Sequence, residues 1–225
     1  MRPLFLGFFM LFLAASAQAL DSAARAGVDL QGRWVLNSQA SDDAEAILAR
    51  RMEEQRKRAQ RIEEQRRRRM ERDPYAWEPE FTPPERTPQN LAAMEERRRA
   101  VRQMLGMTKL LEIEQSAGGS KLTIRSDFDT RRFDAGSRSQ VSLPAGPLAD
   151  QRCGWDGEWF VIERSARQGP RITERYRRLA KTDQLELQVA IKGNTPLAGI
   201  KLRRIFDRAS AAATTTPVEV MGPVR

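Results

Sequence analysis

Gly32-Arg33-Trp34-Val35-Leu36-Asn37 reads as a short β-strand, because a period of two places Trp34 and Leu36 on one face within the run from Leu30 to Asn37. The next segment is not another strand. Residues 41–107 carry a helical, heavily charged pattern, and only after Met107 does alternation return and persist to Arg204-Ile205-Phe206-Asp207. This order of elements describes a β-meander whose first strand is separated from the rest by a helical insertion.

The returning strands can be read one by one. Leu111 and Ile113, then Leu122 and Ile124, flank Gly118-Gly119 as a hairpin requires. Arg131–Asp134 and Ser139–Leu143 form two weaker strands about a turn near Ala135-Gly136. Trp155-Asp156-Gly157-Glu158 is a two-residue hairpin signal, and pairing across it is expected to set Cys153 opposite Phe160 on the face shared with Trp155 and Ile162. Cys153 therefore reads as a core residue rather than a reactive thiol. Arg171–Leu179 and Gln184–Lys192 come next, the second with Leu185, Leu187, Val189 and Ile191 on one face. A final strand from Leu197 to about Asp207 completes the set. The sequence thus predicts a mainly β fold, an antiparallel up-and-down meander of about ten strands forming a barrel or half-barrel, since closure removes exposed edges.

Between the strands, Ser41 is placed to cap a helix over residues 42–72, with Asp42, Asp43 and Glu45 in its first turn where the helix dipole favours negative charge. Asp73-Pro74 ends it. From Arg50 to Arg72 there are eleven basic and five acidic residues. Many Glu and Arg stand three or four apart, a spacing that suits a solvated, self-paired helix. Leu48, Met52, Gln55, Ala59 and Ile62 trace a thin seam that fits a partner helix until Arg66 interrupts it. Residues 73–88 hold five prolines around Tyr75, Trp77 and Phe81 and read as an extended connector or a polyproline-type recognition segment. Thr87-Pro88 then starts a second helix that reaches Leu105 and stops at Gly106. Together these make a long charged helical hairpin.

The ends carry a different message. Arg2, an apolar run from Leu4 to Ala15, and Ala17-Gln18-Ala19 have the form of a cleavable signal peptide cut after Ala19. The run is too short to span a bilayer as a helix. A periplasmic or secreted protein is expected, organised as signal peptide 1–19, a loose lead-in and first strand 20–40, the arginine-rich hairpin with its proline-rich joint 41–107, the meander 108–208 and a disordered tail 209–225. The net charge of +9 falls to +8 when the leader's one arginine is removed, and it favours anionic partners. Outside the cytoplasm these are lipid head groups and polyanionic glycans, so nucleic acid is not expected.

The chain has no histidine and one cysteine. That excludes Ser-His-Asp and Cys-His catalysis, His-ligated metal and thiolate clusters. It also excludes an intrachain disulfide. No enzyme activity, metal or cofactor is expected.

On Gly32, Trp34 and Leu36, followed by two helical segments, nine further strands and Arg204-Ile205-Phe206, the chain resembles the calycin superfamily and within it the fatty-acid-binding-protein type. It also resembles exported bacterial proteins that begin Gly-x-Trp-x-Leu-Asn, with Asn37 matching. The resemblance implies a ligand carrier whose last strand bears Arg-x-Tyr. Phe206 stands where that family has the hydroxyl, and these helices are several times longer than the family's. Independently, strand parity sets Arg204 in an apolar row with Ile200, Leu202 and Phe206, where it either receives a ligand carboxylate or phosphate or pairs internally with Glu174.

Two functional readings are open. In one, an exported non-enzymatic binding protein holds a lipid or other amphipathic or anionic ligand near Arg204, Phe206, Tyr176 and Trp155, while Arg58, Arg66, Arg67, Arg68 and Arg69 contact an anionic lipid or lipopolysaccharide surface. In the other, the barrel is filled with side chains and the hairpin binds a protein partner, as in a structural or adaptor protein of the envelope. Interior volume separates them, a cavity of several hundred Å³ belonging to a carrier.

Overall fold

The computed structural model describes residues 19–72, 88–144 and 146–209, with side chains from residue 91 in the second helix. The signal-peptide reading up to residue 18, the proline-rich joint at 73–87 and the tail beyond 209 lie outside the described residues. Strand β1 (Gly32–Asn37) leads to helix α1 (Ala44–Arg72) and helix α2 (Pro88–Met104). Nine strands follow among the described residues: β2 (Leu110–Gln115), β3 (Lys121–Ser126), β4 (Thr130–Asp134), β5 (Arg138–Ser142), β6 (Leu148–Asp156), β7 (Trp159–Ala166), β8 (Pro170–Leu179), β9 (Gln184–Gly193) and β10 (Lys201–Arg208).

All ten strands form one antiparallel sheet in the order β4-β3-β2-β1-β10-β9-β8-β7-β6-β5. The tryptophan strand is its keystone: Trp34 stands opposite Leu111 of β2 on one side and Arg208 of β10 on the other. Every other neighbour in the sheet is a neighbour in sequence, so the curled half-barrel is a meander whose first strand bridges β2 and β10, with β4 and β5 at its two edges. The architecture is the mainly β, antiparallel up-and-down half-barrel of ten strands that the element order implied.

The sheet buries the predicted alternating residues on its concave side. Trp34, Trp155, Phe160, Tyr176 and Phe206 are each at most 1% exposed and belong to one cluster with Leu111, Ile124 and Leu187. Burying each large apolar side chain contributes on the order of 1.5–3 kcal/mol, which is the principal stabilisation in a chain with no disulfide.

Several details differ from the sequence expectations. The last strand starts at Lys201 rather than Leu197, because residues 197–200 form a turn in which the Leu197 carbonyl accepts from Ile200. Across the β6–β7 hairpin Cys153 faces Ile162, and Trp155 faces Phe160, because the loop is Gly157-Glu158 closed by Asp156 and Trp159. Asp43, not Ser41, caps α1 through its carboxylate and the Ala46 amide (2.9 Å). Ser41 instead accepts from the Ile205 amide and donates to the Asn37 carbonyl, holding the chain against β10 as it leaves β1.

The lead-in is the largest correction. Residues 20–31 form a strap rather than a loose end. Asp21 exchanges both backbone hydrogen bonds with Trp155, and the Ala24 amide donates to the Gly118 carbonyl. Gln115 fastens its other end by accepting from the Leu30 amide and donating to the Val28 carbonyl. The strap fits because of glycine: a Cβ on Gly119 (φ +68°) would come within 2.7 Å of the Ala24 Cβ, and one on Gly154 within 2.7 Å of the Asp21 carbonyl oxygen.

Candidate functional site

Two regions concentrate charge: a cluster inside the half-barrel and the helical arm above it. The interior cluster is built on inward positions of three strands. Glu174 of β8, whose side chain is 2% exposed, takes Arg164 of β7 on one carboxylate oxygen and Tyr176 Oη (2.7 Å) on the other. Arg131 of β4 donates to both oxygens at 3.0 Å and also reaches Tyr176 Oη (3.2 Å). One carboxylate therefore collects two guanidiniums and a phenol in a largely dry setting. Burial, and then the charge of neighbouring Arg131, push the Arg164 guanidinium down to about 10.

Arg204 lies on the same inner surface but outside this cluster. Its two terminal nitrogens donate to the carbonyls of Gly106 (2.9 Å) and Thr108 (3.1 Å), just past the end of α2, and its guanidinium lies over the Phe206 ring (5.8 Å). The internal pairing of Arg204 with Glu174 is thus corrected: the residue caps backbone, and Glu174 is held by Arg131 and Arg164. Desolvation lowers the pKa of the Arg204 guanidinium.

Of the other residues expected at a ligand site, Tyr176 joins the Glu174 cluster, and Phe206 packs in the core beneath Arg204. Trp155 sits by the strap, donating from Nε1 to the Gly119 carbonyl (2.8 Å) with its ring edge-on to Phe160. The four do not converge on one space. Beneath the end of α2, an opening lined by Gln103, Asp129, Arg131, Arg164 and Tyr176 encloses about 20 Å³, room for about one water. Sequence reasoning placed Glu174 inside but missed Arg131 and Arg164. The signal available was parity, which puts Arg164 in register with the inward Ile172.

The arm is fastened at its base. Ala44 is buried and Ile47 and Leu48 pack on the core. Arg51 donates to the carbonyls of Pro196 (3.1 Å) and Ala198 (2.7 Å). Arg102 of α2 reaches Glu45 at 3.0 Å. Beyond Gln55 every residue of α1 is exposed, a projection of about 25 Å. Arg67 and Arg68 pair with Glu71 and Glu64, whereas the side chains of Arg58 and Arg69 bond nothing among the described residues. Arg66 to Arg69 are consecutive, so at about 100° per residue they face all sides of the helix rather than one. Met52 and Ile62 of the expected seam are 56% and 46% exposed. No group of acidic and thiol side chains among the described residues has the arrangement of a metal site, and no described helix is long and apolar enough to cross a membrane.

No family model matches the chain, and no curated protein matches it by sequence. Among solved structures it is similar to Echinococcus granulosus fatty-acid-binding protein 1, with 13% identity, 80% of this chain and 98% of that one covered, and a TM-score of 0.42. A REP1-NXSQ fatty acid transporter gives 14% identity, 81% and 97% coverage and 0.42. Human cRBP IV gives 17%, 80% and 98% coverage and 0.42.

Proposed function

We propose that this is an exported, non-enzymatic binding protein in which the filled half-barrel is a rigid base and the cationic arm is the binding element, docking on the anionic surface of envelope lipid or lipopolysaccharide. The observation that carries the proposal is the contrast between the two ends of α1: Ser41 and Asp42 just ahead of it are hydrogen-bonded to β10 and Arg51 in its early turns to the carbonyls of Pro196 and Ala198, while its last turns, with a net positive charge, are exposed on every side among the described residues. A helix that exposed is stabilised by its own Glu–Arg pairs and remains available to a partner.

Co-sedimentation with vesicles tests this. Acidic phospholipid vesicles should retain the protein, neutral ones should not, and retention should collapse between about 0.05 M and 0.5 M salt as screening shortens from ~14 Å to ~4 Å. Arg58→Gln with Arg69→Gln should weaken it. Binding that ignores salt, or survives removal of the arm, would refute the reading.

A small acidic ligand inside the barrel is the second reading, favoured by the interior pair Arg131 and Arg164. It requires Glu174 or neighbouring core side chains to move aside, since about 20 Å³ does not admit an acyl chain. Native mass spectrometry of the purified protein separates the two, a co-purifying ligand being expected only from a carrier.

A further inference from the structure

The outer face of the sheet holds a feature that neither the arm nor the interior uses. Over β5 to β8 it forms an open groove of about 700 Å³, within the 300–1,000 Å³ range usual for small-molecule sites. Strand register builds its floor from two parallel rows. Arg138, Arg152 and Glu163 make one; Gln140, Asp150, Ser165 and Arg171 make the other. Every one of these side chains is polar.

On the rest of the outer face Arg125 is matched by Glu114, Arg175 by Asp156, and Arg177 and Arg203 by Glu186, while Arg132, Lys121, Lys192 and Lys201 have no ion pair among the described residues. In the groove Arg152 is matched by Glu163, while Arg138 and Arg171 stand exposed at opposite margins, their side chains without a hydrogen bond or ion pair among the described residues. Asp150 accepts from Gln140 and keeps further acceptor capacity.

From this lining we infer a binding site for an acidic saccharide, a hydroxylated ring bearing a carboxylate. Either unmatched guanidinium, Arg138 at one margin or Arg171 at the other, can hold a ring carboxylate as a bidentate donor. Asp150, Glu163, Gln140 and Ser165 supply the acceptors and donors that ring hydroxyls need. A bare inorganic anion fits worse, since two carboxylates face it with no cluster of backbone amides to offset them. A nucleotide fits worse too, because no aromatic ring lines the groove to stack a base.

Titration of the isotope-labelled protein with tri-galacturonate, followed by backbone amide shifts, tests the inference. Saturable shifts confined to residues 138–142, 148–152 and 163–171 are expected, with maltotriose at least about tenfold weaker. Arg138→Gln with Arg171→Gln should weaken tri-galacturonate at least about tenfold. Both side chains are exposed and unmatched within the described fold, so the unfolding midpoint should not move. Arg58→Gln with Arg69→Gln should leave this titration unchanged, which keeps the site separate from the arm's reading. Absence of shifts at about 10 mM ligand, shifts confined to α1, or equal affinity for maltotriose would overturn it.

Discussion

Glu174 shows how much one buried carboxylate can control. Two guanidiniums and a phenol are oriented by it, so Glu174→Gln would leave Arg131 and Arg164 facing each other with only the half-buried Asp129, 3.6 Å from Arg131, as a counter-charge. Removing one member of a buried ion group typically costs about 3–5 kcal/mol, and urea unfolding should show a loss of that order. Replacing the group together, with Arg131→Met, Arg164→Leu and Glu174→Leu, should restore most of it, because apolar side chains of similar size pack without desolvating charge. Glu174 was legible in the sequence because it shares a face with Ile172 and Tyr176. Its partners were not. Alternation with Phe160 and Ile162 puts Arg164 on the inner face, but it does not say which acid an inward arginine meets, and Arg131 lies 43 residues from the carboxylate it serves. Arg204 stood out more clearly, but its partners are carbonyl oxygens, which every residue possesses and no pattern announces.

Pairs of elements carry the next set of consequences. Glu186 on β9 is 2% exposed on the outer face, held by Arg177 of β8, Arg203 of β10 and Gln188. Burial acts to raise its pKa, and hydrogen bonds from Gln188, Arg177 and Arg203 outweigh that and hold the carboxyl below its ordinary 4.5. A depressed value stabilises the fold above the unfolded-state pKa and is lost as pH falls through the folded one. Wild type should therefore exceed Glu186→Gln in stability above about pH 5, with the gap closing under acid, a result that thermal melts across pH would check. The strap offers a second test. Gly119→Ala drives a methyl into Ala24 and Trp155 at a left-handed φ, and should cost about 1–3 kcal/mol. Hydrogen exchange at Asp21 and Ala24 should accelerate first. Strands and turns were readable from alternation and from Gly-containing pairs, and their ends moved by a few residues at most. The strap was not readable, because its hold depends on three distant partners, Gln115, Gly118 and Trp155, and its own composition is that of a loop.

At the scale of the whole molecule, sheet and arm are nearly separable. α1 and α2 contribute few residues to the core, chiefly Ala44, with Leu105 just past the end of α2 and Ile47, Leu48, Val101 and Met104 against it, and Glu45 lies beside Arg102 where the two helices leave the sheet. Replacing residues 46–100 with a short Gly/Ser linker should leave a sheet that unfolds in one cooperative transition, while the salt-dependent attachment to acidic vesicles disappears. Element order along the chain made the architecture legible, since a lone strand ahead of a helical excursion must find its partners elsewhere. The state of the interior was not legible, because whether five bulky aromatic side chains fill a barrel or line one depends on curvature, which alternation does not encode. The keystone position of β1 also sets a schedule. A ribosome makes Trp34 early and Arg208 about 170 residues later, so at roughly 5–20 residues per second the tryptophan waits on the order of ten seconds or more for its second neighbour. Until then the largest apolar side chain of the first strand has no seat, and whatever shelters it in that interval decides how much of the newborn chain survives.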